Sequence, residues 1–319
     1  MPFAAREFPA EPAGRLRHTA GVVPLRTLWW FWLLVAAPWA CTPVASPPAV
    51  ERMAAVAAAP AVDAERAAKL LLAALDGEAL YTLADGTKPV SEGFWHGWVR
   101  VDAPDLAEVE AVRAALAPLR TDDLYADVTV FDAVHEGKRA AQAFVVDRRA
   151  LAAALTKHAA FFAPYGLAPS AHPCEVMAVV ERMPKLDRHR GHGLLFGYPV
   201  HAVDFFVAVA DTPGEGGKPA PRRFVQIPTF ASPTGRFVYA VPPDAPDRPE
   251  DVALRARTEP VLARWRELRA GLAVDDVAAL RAAVATLRRE CAGRAAVGVA
   301  GNQSAAALRP LAFAGGWPH

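Results

Sequence analysis

A chain of 319 residues, 53% hydrophobic and 22% charged, is long enough to bury a large core without disulfide or metal staples. The formal charge is +1, and the four Arg and two Glu of residues 1–45 leave the rest of the chain one unit negative, which is not the basic footprint of a nucleic-acid binder and sets nucleic acid aside as a partner. Six Lys stand against 29 Arg; that bias runs through the whole chain, so Arg richness carries no argument for phosphate binding, although Arg is the better fork.

The first element is an uncharged stretch of thirteen residues, Leu28–Ala40, behind Arg15, Arg17 and Arg26. It is shorter than the about 20 residues that span hydrocarbon and matches the roughly 7–15 of a secretory signal. Export to a bacterial cell envelope, periplasm or outer surface, is therefore expected, with the membrane as the one assigned partner through this segment. Ala40-Cys41 resembles the processing site of a bacterial lipoprotein, with Cys41 as the lipidated residue, while Pro38 and Trp39 occupy positions where such signals carry a Leu-like and a small residue. Two alternatives stand beside it: cleavage after Pro43-Val44-Ala45, and an uncleaved anchor with Trp29, Trp30, Trp32 and Trp39 at the interface. Residues 42–62, rich in Pro and Ala, read as a flexible tether.

Order is expected from Asp63, an N-cap for a helix that stops at Gly77. Residues 77–104 read as a short helix, a loop and a strand through Trp98–Val101. Pro104 then opens a helix to about Leu119, with Asp105 and Glu108 near its positive end. ADVTVFDAV and RAAQAFVVD form a hairpin turning at Gly137. Helices over Arg148–Phe162 and Pro173–Met183 follow. KLDRHRGHGLLFGYP interrupts the helical pattern, and HAVDFFVAVAD has a period that fits strand or helix. A turn-rich loop (211–222) leads to a second hairpin around Ser232–Gly235, then a helix to about Ala270, another over Val274–Cys291, and a loose tail from Gly293. Helices mixed with hairpins, without regular strand–helix alternation, predict an α+β fold: a single globular domain over residues 63–292, antiparallel hairpins packed on several helices.

Reactive side chains are densest between His172 and Asp204. Pro173 at the first helical position puts Cys174 and Glu175 in the first turn, where unpaired N–H groups and the macrodipole lower a thiol pKa; burial as an inert core thiol is the competing reading. His189 and His192 have a spacing open to two metal ligands, with His201 as a third, and His201 and Asp204 share a helical face at i, i+3. Arg188 and Arg190 oppose a cation, and a solvated basic loop is the alternative. Gly191, Gly193 and Gly197 imitate a dinucleotide loop, but the polar residues before them are not a buried strand. A third spot is the turn-rich segment holding Lys88, Ser91, Trp95 and His96, which could present a ligand loop or plug the core. Cys174 and Cys291 are open to a disulfide or to two separate thiols.

No cofactor is specified by any of these motifs. The sequence points first to an exported, membrane-tethered domain that binds a ligand or partner, and second to an envelope hydrolase, metal- or thiol-dependent, with Cys174, Glu175, His201 and Asp204 as its catalytic residues.

Overall fold

The Asp63 side chain accepts the Arg66 N–H at 3.0 Å and starts helix α1 (Ala64–Asp76). The computed structural model describes residues 63–210, 220–232 and 237–306; Leu28–Ala40, Cys41 and the 42–62 segment lie outside the described residues. Helix α2 (Leu80–Asp85) follows and ends at Gly86, whose φ of +66° suits glycine. The described residues belong to one compact unit of mixed helix and antiparallel sheet, as the α+β reading expects.

Three strands, β1 (Val90–Arg100), β2 (Leu124–His135) and β3 (Lys138–Asp147), form an antiparallel sheet in the order β1-β3-β2. Helix α3 (Ala107–Leu116) connects β1 to β2, and the β2–β3 hairpin turns at Glu136 and Gly137 as predicted. Alternation sorts the strands into two faces. Ala126, Val128, Ala141, Ala143 and Val145 face a core built with α1, α2 and α3. Val90, Tyr125, Phe144 and Val146 face a second core with helices α4 (Arg148–Lys157), α5 (Ala159–Phe162), α6 (Pro173–Glu181) and α7 (Lys185–Leu195). Between Glu92 and His96 the β1 register shifts, so Gly93, Phe94 and Trp95 stand opposite Ala143; Gly93 takes φ +81° at this bulge.

Two readings of the sequence are corrected and one left open is decided. The segment taken as a ligand loop is strand β1 from Val90 onwards. KLDRHRGHGLL, taken as an interruption, is helix α7: its glycines are packing positions, since a Cβ on Gly191 would stand 3.0 Å from Val180 Cγ1 and one on Gly193 2.9 Å from Val203 Cγ2. The helix tolerates two glycines because they let it close on its neighbours. The ambiguous apolar run is helix α8 (Val200–Ala210), with Ala202 and Val203 buried.

Strands β4 (Arg223–Ile227) and β5 (Phe237–Val241) make the expected second hairpin, and Ala202 of α8 packs with Val225, Tyr239 and Val241 on it. Helices α9 (Pro249–Ala270) and α10 (Val277–Ala306) complete the fold, with Trp265 and Leu287 fully buried; α10 runs beyond its expected end at Cys291 and into the tail read as loose. No helix among the described residues is long and apolar enough to cross a membrane.

Candidate functional site

Two turns close tightly on one another beside a hollow. Gly197, in the α7–α8 turn, has φ +73°, and a Cβ there would lie 2.5 Å from the Thr87 carbonyl oxygen in the α2–β1 turn. Only glycine fits that position, on conformation and on space. Beside it lie a hollow of about 990 Å³ and a second of about 670 Å³; both are lined by Thr87, Lys157, Gly197, Tyr198 and Arg257, so they run together as one groove. Helices α4, α9 and α10 supply the rest of the wall through Ala153, Pro260 and Arg288. This volume matches a metabolite-sized molecule.

Most charges on this wall are answered. Arg257 Nε donates to Asp85 Oδ2 at 3.0 Å, Arg288 Nη1 lies 2.9 Å from Asp147 Oδ2, and Arg149 Nε lies 3.4 Å from Asp123 Oδ1. Lys157 and Arg248 have no carboxylate partner among the described residues. Burial, and then the neighbouring Lys157 ammonium, push the His158 imidazole below its usual value, so it serves here as a neutral hydrogen-bonding group. At the other end His201, nine-tenths buried, places Nε2 3.3 Å from Asp251 Oδ1. Asp251, 1% exposed, accepts the Tyr239 O–H at 2.7 Å and the Arg248 N–H at 2.8 Å. His201 and Asp204 both line this groove, and Asp204 is bonded to Arg190.

The other reactive groups lie under α6 and α7, on the second face of the sheet. His172 caps α6 by accepting the Cys174 N–H on Nδ1, so Cys174 is in the first turn as the sequence indicates. Its thiol lies 3.0 Å from the Tyr125 hydroxyl and 3.5 Å from Asp127 Oδ2. Burial pushes the thiol up, the Tyr125 hydrogen bond opposes, and the Asp127 carboxylate adds to the rise. The lowering expected at a helix start is thus reversed by the company the thiol keeps. Burial would raise Asp127 too, but the Val128 N–H, the Tyr125 O–H, Arg113 and Arg120 outweigh it and hold the carboxyl below its usual range. A cleft of about 240 Å³ beside Phe144 reaches Cys174 and Glu181.

Farther along, Glu181 Oε2 lies 3.7 Å from His192 Nε2 and Oε1 lies 3.6 Å from Arg188. Glu92 Oε1 and His192 Nδ1 are shut from solvent without a hydrogen-bond partner. Burial raises the Glu92 pKa; His192 and Lys88 work against the rise, while Glu181 and Glu78 add to it.

The remaining sequence candidates are dispersed. Lys88, 1% exposed, turns inward: its ammonium lies 2.8 Å from Glu78 Oε2 and 4.3 Å from the Phe237 ring centroid, with Phe196 and Tyr198 completing an aromatic box. Ser91 is buried with its hydroxyl 2.8 Å from Thr82 Oγ1. Trp95 packs over Gly97, and His96 is exposed opposite Gln142. Glu175 is exposed, and His189 stacks edge-on against Phe206. Among the described residues no group of three or more His, Cys, Asp or Glu has the spacing to hold a metal ion. Cys174 and Cys291 are not joined in a disulfide.

Sequence reasoning missed Lys157, Arg257, Tyr239 and Asp251. Pro249-Glu250-Asp251 marks a helix start, which explains Asp251 as a cap and gives no sign that His201, fifty residues earlier, leans on it. Comparison with known proteins adds nothing to this geometry: no protein family, no curated protein and no solved structure matches the chain.

Proposed function

We propose that the chain is an exported, membrane-tethered envelope protein whose folded body binds a small organic molecule in the groove between α4, the α7–α8 turn and α9. The observation that carries the binding reading is the groove itself: two hollows of about 990 and 670 Å³ sharing five lining residues, with Lys157 and the nine-tenths-buried His201 on a wall of small residues and ion-paired side chains. The export half rests on the length of Leu28–Ala40 and the arginines before it.

Thermal unfolding of the purified full chain against a panel of small organic molecules tests the binding. A ligand at a hundred times its Kd stabilises by about 2.7 kcal/mol, which for a domain of this size raises Tm by roughly 5–10 °C. Ala153 is exposed on α4 and lines the groove, so Ala153→Trp fills the space without entering the core and abolishes the shift; a shift that survives it overturns the site. Fractionation of cells expressing the full chain tests export, and recovery in the cytosol overturns that half.

One contact favours the hydrolase as a second reading. Asp251 Oδ1, 3.3 Å from His201 Nε2, is a carboxylate placed to stabilise the imidazolium that forms when His201 takes a proton as a general base. His201→Gln then abolishes turnover of a groove ligand while leaving its binding within a few-fold.

A further inference from the structure

We infer that the far end of the three-stranded sheet, where β1 runs out and the β2–β3 hairpin turns, is a lipid-facing surface that rests on the membrane holding the chain; this inference rests on the tethered reading above and is independent of the groove. Residues 132–138 are exposed without interruption, so the hairpin projects past the helices that cover the rest of the sheet. Trp98 is 60% exposed, Val134 53%, Val101 47% and Leu106 45%. They are four of the ten large apolar side chains that the described residues leave in solvent, and Trp98 is the largest and most exposed. Apolar residues scattered singly over a surface need no explanation, whereas a group gathered at one end does.

The arrangement of these side chains selects the occupant. Val134 and Val99 both stand in register with Arg139, on one face of the sheet, and Trp98, one residue before Val99, points to the other. The Val101 N–H bonds the Gly137 carbonyl at 3.0 Å, and Val101 and Val134 wall one shallow hollow. A docked protein covers one face of a strand pair. A lipid surface surrounds the end of a projecting hairpin and takes apolar side chains from both faces at once, with a tryptophan ring at headgroup level.

The point where the tether joins the body gives the second sign. Arg66, in the first turn of α1, reaches Glu108 in the first turn of α3 at 2.6 Å, and α3 starts seven residues after β1 ends. Just past the other end of α1, Glu78 bonds Lys88, two residues before β1 begins. Helix α1 therefore runs back along β1, and Asp63 lies at the end that carries Trp98. The 42–62 segment enters the body there. A weak contact beside an attachment point forms at an effective concentration on the order of millimolar, so a few inserted side chains suffice. Arg100 pairs with Asp102 at 2.7 Å and Arg139 with Asp132 at 3.1 Å, while Lys138 is offset by Glu136. The end is close to neutral, so the contact is made by apolar insertion and changes little with salt.

Hydrogen exchange of the full chain, with and without vesicles of phosphatidylethanolamine and phosphatidylglycerol, tests this, with co-sedimentation run on the same samples. Peptides covering 97–106 and 132–138 exchange severalfold more slowly with vesicles, and peptides of α9 do not change. Trp98→Ser and Val134→Asp, both at exposed positions, remove that slowing while the chain still sediments with the vesicles through its N-terminal segment; unchanged exchange elsewhere shows that the variants fold. Co-sedimentation without slowing at the two peptides, or slowing that both variants retain, overturns the inference and leaves the tether standing. A chain that stays in the supernatant overturns the tether and the inference with it. Slowing of the same peptides without lipid, growing with protein concentration, assigns the surface to a second copy of the chain and overturns the inference too.

Discussion

On one face of the three-stranded sheet, Ala126, Ala141, Ala143 and Val145 are completely buried against α1, α2 and α3, with small side chains that allow close packing. On the other, Tyr125, Asp127 and Glu92 share the surface with Phe144 and Val146 and meet Cys174, Glu181 and His192 from α6 and α7. The strands are the same, and the two burials are opposite in kind. The first face depends mainly on area and fit, with the uncharged Ser91–Thr82 hydroxyl pair as a buried polar contact. The second depends on every polar group finding a partner, and at Glu92 and His192 two atoms do not. Polar groups so placed hold their charge states through their neighbours, so the second face responds to pH and the first does not.

The sharpest way to break the contrast is to make the first face polar. Ala143 has no exposed surface and belongs to the apolar cluster of that face, so Ala143→Asp buries a carboxyl among hydrocarbon. The cost is about 4 kcal/mol or more, and urea unfolding followed by far-ultraviolet circular dichroism shows the loss of a cooperative transition at neutral pH. Survival of the variant with an unchanged midpoint would mean that this face admits water.

The converse change is smaller. Asp127 accepts from Tyr125 at 2.8 Å, from the Val128 N–H at 2.8 Å and from Arg113 at 2.9 Å. Asp127→Ala leaves these donors unpaired and costs about 2–3 kcal/mol, read as a lower denaturation midpoint with an unchanged urea slope. Asp127→Asn keeps an acceptor and retains part of that stability. Equal losses in both variants would assign the effect to charge in place of hydrogen bonding.

How far each face is legible in the sequence follows from the same distinction. The hairpin strands ADVTVFDAV and RAAQAFVVD announce themselves by β-branched runs and a Gly turn, the α+β class follows from their mixture with helices, and both are found. Cys174 in the first turn of α6 is equally local, since Pro173 fixes it. What the sequence withholds is each group's company across the fold. The Cys174 thiol is pushed up by burial and by Asp127, forty-seven residues away; Lys88 is drawn inside by Glu78 and three aromatic rings. Helix α7 is misread because its glycines signal a loop locally, whereas their use is contact with Val180 and Val203. His201 and Asp204 do share the groove, but the Asp251 that lies beside His201 comes from α9.

Glu92 sharpens the comparison through pH. Burial raises its folded pKa, with His192 and Lys88 in partial opposition and Glu181 and Glu78 adding. An acid whose pKa is higher folded than unfolded favours the folded state while protonated; that stability is complete below the ordinary glutamate value of about 4.3 and is lost as pH rises through the folded value. Glu92→Gln keeps the neutral form at all pH. The variant therefore unfolds at the same temperature as the parent near pH 4 and at a higher temperature at pH 8, the gap opening between. Parallel curves across that range would place the Glu92 carboxyl in contact with water.

The smallest effect is kinetic, at Cys174. A thiol raised by burial and by Asp127 holds little thiolate at neutral pH, so iodoacetamide modifies it more slowly than a free cysteine, followed by mass spectrometry of the peptide that contains it. Two variants then move the rate in opposite directions. Asp127→Asn removes the carboxylate that disfavours the thiolate and speeds alkylation severalfold at pH 7. Tyr125→Phe removes the hydroxyl that hydrogen-bonds the thiolate and slows it. General loosening of the fold by either substitution would speed both, so opposite signs assign the rate to the two neighbours, while a shared increase would assign it to access alone.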